Sequence, residues 1–284
     1  EFGFPLVVDR SVIPDNDDST LFICSGMQPH KRRFRQPDGG RHGSLQSCVR
    51  TRDIELVGDG SHLTCFEMLG NFSFGGNDYE VSVELWHSIL TDLRISVSGV
   101  HVHPSRTDHR RLWERRGYPI VLDPSCRWTD GEIGGHCCEL FCGELEIGNL
   151  VNPEGRSTDV GFGWERLHQV VEQKSRVDDT SLFPTRGHPV VLDHSRAISL
   201  LQTNGIEPGN RGRNYVCRRL IRRMLPLLTG DERFVFDDWI GQEQELRELS
   251  LKQGRRHWRK HRDKPDSFWR ETFGILPEEI RLLE

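Results

Sequence analysis

No stretch of the 284-residue chain is long and apolar enough to cross a membrane, and no signal-peptide pattern opens it. That excludes a helical membrane protein and leads us to expect a cytoplasmic one. Cysteine occurs eight times but without the regular spacing of a disulfide framework, so free thiols in a reducing compartment are expected. There is no internal repeat and no low-complexity tract. The first residue is Glu1 rather than Met, which implies a processed or different native start. What remains is ordinary globular composition, 35% hydrophobic and 29% charged, enough for one large or two modest domains with real cores.

Charge divides the chain. Residues 1–183 carry 19 Lys and Arg against 28 Asp and Glu, whereas residues 184–284 carry 19 against 15. A basic second part suggests a polyanionic partner, with a solvated helical surface as the plain alternative. A Pro- and Gly-containing break at Phe183–His188 marks the expected boundary. Before it, Pro5, Pro14 and Asp15, Asp17 and Asp18 give an extended entry and a turn, and Thr20–Ile23 reads as a short strand. Lys31–Gly43 reads as a polar loop. Leu45–Arg50, His62–Phe74, Ile95–His103, Cys138–Cys142 and Leu145–Val151 read as strands. Val81–Leu93, Asp108–Arg116 and Trp164–Glu172 read as helices.

After the break the pattern turns helical. Asp193 is the expected N-cap of Ser195–Thr203, with Gly205 as its stop. Tyr215–Leu228 is amphipathic, with Arg218, Arg219, Arg222 and Arg223 on one face and Val216, Leu220, Ile221, Met224 and Leu228 on the other. Four cations on one face suit a phosphate ridge, and Arg211 stands at its entry. Phe234–Gln253 is a further long helix, followed by the basic stretch Arg255–Lys264.

The most informative segment is Thr158–Leu167, TDVGFGWERL. It offers an anion, bare backbone at alternate positions and a fixed cation within ten residues. That suits a zwitterion beside a phosphate, with Asp159 for an ammonium and Arg166 for a polyphosphate. The alternative is a tight strand-to-helix turn carrying a surface arginine. Upstream stand LFICSGMQPHK at Leu21–Lys31, SCVR at Ser47–Arg50, CFEMLGNFSFG at Cys65–Gly75 and ELEIGNLV at Glu144–Val151.

In that order, these strings resemble the catalytic domain of the alanyl-tRNA synthetases, a class II synthetase family. DHSRAISLLQTNGIEPGNRGRNYVCRRLIRR, which follows, is similar to the start of that family's tRNA-recognition region. The resemblance implies an α+β fold: an antiparallel sheet flanked by helices over residues 1–184 for aminoacyl adenylation, then a helical tRNA-recognition domain over 185–284. It implies ATP and Mg²⁺ as cofactors, alanine or a related small amino acid as substrate, and tRNA, tRNA-Ala by family, as acceptor.

Residue by residue, Arg50 corresponds to the arginine expected on the ATP α-phosphate and Arg166 to that on the γ-phosphate. Asp159 corresponds to the residue pairing with the substrate ammonium. Asn149 corresponds to the asparagine of the family's EIWNLV string, against the amino acid. Gly161 and Gly163 keep the floor open, Glu67 is a nucleotide or metal candidate, and Trp128 is a substitute for the family's pocket tryptophan. Carboxylate attack on phosphorus needs no general base, so the lack of a catalytic triad is neutral.

The sequence also departs from the family. Gly148 stands where the family has tryptophan, which would open a cavity or admit a larger side chain. The loop after Arg50 is short, and Ser61 replaces an arginine. The glycine-rich loop reads DGEIGGHCCE at Asp130–Glu139. His136, Cys137, Cys138 and Cys142, with Cys126 upstream, suggest zinc, but adjacent cysteines suit one tetrahedral site poorly, and no metal site is assigned. With the sequence ending at Glu284, the family's editing and oligomerisation domains are not expected, which would suit a specialised biosynthetic pathway. Two other functions remain open: a ligase acylating a carrier protein or small molecule, and a non-catalytic paralogue binding tRNA or a partner.

Overall fold

A computed structural model describes residues 2–15, 17, 19–129, 131–183 and 187–284. Asp18 of the expected acidic turn, Asp130 of the glycine-rich loop and residues 184–186 of the expected boundary lie outside the described residues. The chain forms two compact units, residues 1–186 and 187–284.

The first unit is built on one mixed sheet. Among the described residues its strands are β1 (Leu6–Asp9), β2 (Arg41–Val49), β3 (Cys65–Ser73), β4 (Gly99–Val102), β5 (Ile120–Leu122), β6 (Arg127–Thr129), β7 (Gly134–Cys142), β8 (Leu145–Pro153) and β9 (Thr158–Gly163). Their spatial order is β1-β2-β3-β9-β8-β7-β4-β5, with β6 also pairing β7. The long central pairs are antiparallel, whereas β1 runs parallel to β2 and β5 parallel to β4.

Helices α1 (Lys31–Arg35), α2 (Tyr79–Asp92), α3 (Thr107–Glu114) and α4 (Trp164–Val171) complete this unit among the described residues. In α2, Tyr79, Val83, Trp86 and Leu90 fall on one stripe, and all are buried. They join Leu112 and Trp113 of α3 and Leu167 of α4 in a core against Val100, Leu140, Leu150, Val160 and Phe162 of the sheet. Strand alternation sends those residues to the helical face and their neighbours to the other.

Several local expectations change. Thr20–Ile23 is not a strand. Phe22 and Ile23 are buried, and Ile23 exchanges single backbone bonds with Val12 and Val49 without forming a ladder. Lys31–Gly43 is not simply a loop. Phe34 packs against Phe72 and Phe74 and anchors α1, and β2 already begins at Arg41. Ile95 and Val97 are buried outside the strand, leaving β4 shorter than its alternation suggests.

The second unit holds α5 (Pro189–Thr203), α6 (Gly212–Met224), α7 (Asp237–His261) and α8 (Asp266–Phe273) among the described residues. Helix α5 starts earlier than expected. His188 is its N-cap, accepting a 3.3 Å bond from the Val190 amide, and Pro189 occupies the first turn. Asp193 is inside the helix, 1% exposed, and receives His194 Nδ1 at 2.8 Å. Helix α7 runs on into the basic stretch, ending at His261.

The arginines of α6 do not form the exposed phosphate-binding face expected of them. Arg222 is 4% exposed, and its Nε meets Glu243 at 2.9 Å. Arg218 donates to the same carboxylate at 2.7 Å. Arg222 also lies 3.4 Å from Glu279, which takes Arg247 at 2.7 Å. Arg219 lies 3.5 Å from Glu278, and Arg223 sits 3.3 Å from His194 Nε2. The helical period put them on one side as expected, but the carboxylates of α7 and the C-terminal 3₁₀ segment Pro277–Leu283 fold over that side. The network is structural. Replacing Arg222 with Gln leaves Glu243 buried with half its counter-charge, at a cost of about 3–5 kcal/mol. Urea denaturation should show that loss, and a change below about 1 kcal/mol would contradict an internal role.

A candidate active site on the face of the sheet opposite α2 and α3

On β9, Val160 and Phe162 enter the helical core, so Asp159, Gly161 and Gly163 face the other way. The register carries that face across neighbouring strands. Phe72 lies beside Asp159 and Met68 beside Gly163 on one flank, while Val151 lies beside Asp159 and Asn149 beside Gly161 on the other. A cavity of about 280 Å³ opens here. Arg50, Trp128, Asn149, Gly161, Gly163 and Arg166 all line it, so six of the residues singled out in the sequence come together.

Arg50 follows the end of β2 and is exposed. Its Nε donates to the Cys24 carbonyl at 3.0 Å, and its guanidinium lies 4.8 Å from the Phe66 ring centroid. Arg166 sits in the first turn of α4. Its Nη1 donates to the Glu146 carbonyl at 2.7 Å and lies 3.6 Å from that residue's carboxylate. Two cations, each oriented by a backbone carbonyl, thus border one hollow. A second cavity shares Arg50 and Trp128 with the first, extending the open space past them.

Asp159 is 8% exposed and has no hydrogen-bonding or charged partner among the described residues. It is not on the cavity wall itself but two positions before Gly161 on the same face. Burial disfavours its charged form and raises its pKa to about 7. An unpaired carboxyl in such a place is an unfilled demand for a cation. Gly161 is needed for close approach: a Cβ there would lie 2.7 Å from Met68 Sδ. The floor is therefore covered by a flexible thioether rather than bare, as the two glycines alone would suggest.

Gly148 also lines the cavity, but the side chain it lacks would point away from it. A Cβ at this position would come within 2.4 Å of the Phe162 ring, on the helical side of the sheet. Phe162 in turn stacks on Trp86 with centroids 3.6 Å apart. A cross-strand phenylalanine fills the space above the glycine, so the loss of an indole there is compensated in the core.

Glu67 is not brought to the site. Alternation on β3 sends Phe66 and Met68 to the cavity, and Glu67 points away to a 2.6 Å pair with Arg10. Other carboxylates were missed in the sequence: Asp53, Glu146 and Glu165 line the cavity. Glu165 is 1% exposed and accepts the Glu67 amide at 3.0 Å. Glu146 and Glu165 lie inside the ELEIGNLV and TDVGFGWERL strings, so proximity to the quoted motifs was the available signal. Ser61 also lines the cavity, so the position of the missing arginine is present with only a hydroxyl. In the second unit Arg211 is exposed, unlike Arg222.

Comparison with known proteins bears on this arrangement. The family described as tRNA synthetases class II (A) matches residues 3–119 and 148–231. An alanine–tRNA ligase of Desulfitobacterium hafniense (strain Y51) is 32% identical over 291 residues, spanning 78% of this chain and 33% of that protein. The alanine–tRNA ligase of Desulforudis audaxviator (strain MP104C) is 31% identical over 300 residues, spanning 81% and 34%. The chain thus spans about a third of the length of the curated relatives it matches. Among solved structures, a pyrrolysyl-tRNA synthetase from Desulfitobacterium hafniense aligns over 63% of this chain and 66% of that one, with a TM-score of 0.31 and 19% identity. No helix among the described residues is long and apolar enough to cross a membrane. From the family match and the alanine–tRNA ligase relatives, the chain belongs to the class II (A) tRNA synthetases.

Proposed function

We propose that the first unit activates alanine or a related small amino acid with ATP and that the chain passes the aminoacyl group to tRNA in the cytoplasm. The observation that carries this is the sharing of one sheet face by Arg50, Arg166 and the unpaired Asp159. Asp159 takes the substrate ammonium, satisfying a buried anion that otherwise has no partner. Asn149 and Trp128 bound the space for a small side chain. The substrate carboxylate attacks the α-phosphorus, the bond to the bridging oxygen breaks, and pyrophosphate leaves. Arg50 and Arg166 stabilise the charge on the phosphoryl oxygens.

Mg²⁺ travels with ATP and neutralises phosphate charge. The donor chemistry fits, because Asp53, Glu146 and Glu165 supply hard oxygen ligands on the cavity wall. In the second step the acyl carbon is attacked by a hydroxyl at the tRNA 3′ end, and AMP leaves. Arg211 and the exposed cations Arg255, Arg256, Arg259 and Lys260 are the remaining basic groups suited to phosphate contact. The internal pairing of Arg218, Arg219 and Arg222 favours a second reading, in which the acyl acceptor is a carrier protein or small molecule. Charging assays with tRNA and with carrier proteins separate the two.

Pyrophosphate exchange tests activation. Arg50→Ala and Arg166→Ala should each reduce it about a hundredfold, as expected for loss of an interaction worth about 3 kcal/mol in the transition state. Near-normal exchange in both variants would make these arginines structural.

Asp159 carries a separate pH signature. Its folded pKa of about 7 exceeds the ordinary carboxylate value, so the folded state holds a proton that the unfolded state has released. Stability therefore falls as pH rises from about 4 to about 7 and stays lower above that, by roughly 4 kcal/mol. Asp159→Asn should stabilise the free protein at pH 8, lose that advantage by about pH 4, and raise KM for every amino acid alike. An unchanged pH–stability profile would show that the carboxylate is already compensated.

A further inference from the structure

The cysteines near β7 are sorted by its alternation in a way their order in the sequence conceals. Cys138 points into the helical core, where Tyr79 Oη donates to its sulfur at 3.1 Å. Cys137 and Glu139, one position to either side, face the cavity side of the sheet. Cys126, just before β6, is brought alongside by the β6–β7 pairing, and its carbonyl accepts the Cys137 amide at 3.1 Å. Cys126 is fully buried and Cys137 is 3% exposed. The two sulfurs and a Glu139 carboxylate oxygen all lie within 4.8 Å of one another.

Such a set can surround one ion at thiolate and carboxylate bond lengths of about 2.3 and 2.1 Å. Two thiolates disfavour Mg²⁺ and Ca²⁺, which take oxygen ligands, and favour zinc. Trp128 packs against Cys126, Cys137 and Val151 while also lining the cavity. Across the sheet, Glu139 pairs with Asn149, which pairs with Gly161, and Cys137 pairs with Val151, which pairs with Asp159. The three ligands thus stand two strands, or about 10 Å, from the row that holds Asp159.

We propose that Cys126, Cys137 and Glu139 bind one zinc ion on the cavity side of the sheet, against Trp128, with a water molecule as fourth ligand. Three protein ligands leave one position for that water, whereas closed structural sites use four protein ligands. No single ligand run in the sequence shows it, because one of the adjacent cysteines faces away and the third ligand is a glutamate. Zinc content does not depend on whether the cavity adenylates an amino acid, so loss of the metal and loss of exchange are separable results.

The test is elemental analysis of the full chain purified under reducing conditions, after dialysis against excess zinc and then against metal-free buffer. About one zinc per chain is expected. Cys126→Ser and Cys137→Ser should each lower retention at least tenfold, and Glu139→Gln, which leaves both thiols in place, should weaken it measurably. Cys138→Ala, on the other face, should retain zinc at the wild-type level. Circular dichroism verifies that each variant is folded. Cobalt(II) in place of zinc should give the intense visible bands of a four-coordinate site and thiolate charge-transfer absorption. Wild-type protein that retains no zinc, zinc equally lost from Cys138→Ala, or weak octahedral cobalt bands would each overturn the proposal. So would a Cys126–Cys137 disulfide in the reduced preparation.

Discussion

The first unit depends on the register of β9 between β3 and β8. Val160 and Phe162 are committed to the helical core, and Phe162 is held between Trp86 and the bare backbone of Gly148. That commitment turns Asp159, Gly161 and Gly163 to the opposite face. A slip of one residue would put a carboxyl into the apolar core and a phenyl ring into the cavity. The hydrophobic packing on one side of the sheet therefore pays for the charge left unpaired on the other. An isolated buried carboxyl is unfavourable in the empty protein, and its persistence is consistent with a site organised for a bound cation.

Much of this was legible in the sequence. Parts of β2, β3, β7 and β8 were expected as strands, whereas alternation overran β4, and β9 was expected only as the start of a turn because its two glycines mask its apolar face. The TDVGFGWERL string placed an anion and a cation on opposite sides of a strand-to-helix turn, and that spacing is local. Arg50 and Asn149 needed the family resemblance, since no local rule joins them to Arg166. What stayed hidden was set by tertiary contact. The α6 arginines fall on one side as the period requires, but carboxylates more than twenty residues away close over them. Glu67 was misjudged because a motif string does not say which face of the strand each residue takes. At Gly148 the ring that fills the helical side comes from a neighbouring strand, which no local string reveals.

The second unit is organised by ions as much as by apolar packing. Glu243 and Glu279 each meet two arginines, and the apolar cluster of Leu251, Trp269, Ile275 and Leu283 shares α7 and the terminal segment with that network. Such networks are sensitive to removal of a single member but add little net stability over apolar packing. Their presence withdraws cations from the surface and moves the basic potential to the end of α7.

The proposed function turns on Asp159 receiving the substrate ammonium while Arg50 and Arg166 take the phosphates. Isothermal titration of a non-hydrolysable alanyl-adenylate analogue against its counterpart lacking the amino group addresses it most directly. A charge-assisted bond to a buried carboxylate contributes about 1.5–3 kcal/mol, so the analogue with the ammonium should bind about 10- to 100-fold more tightly. Equal affinities for the two compounds would contradict the account.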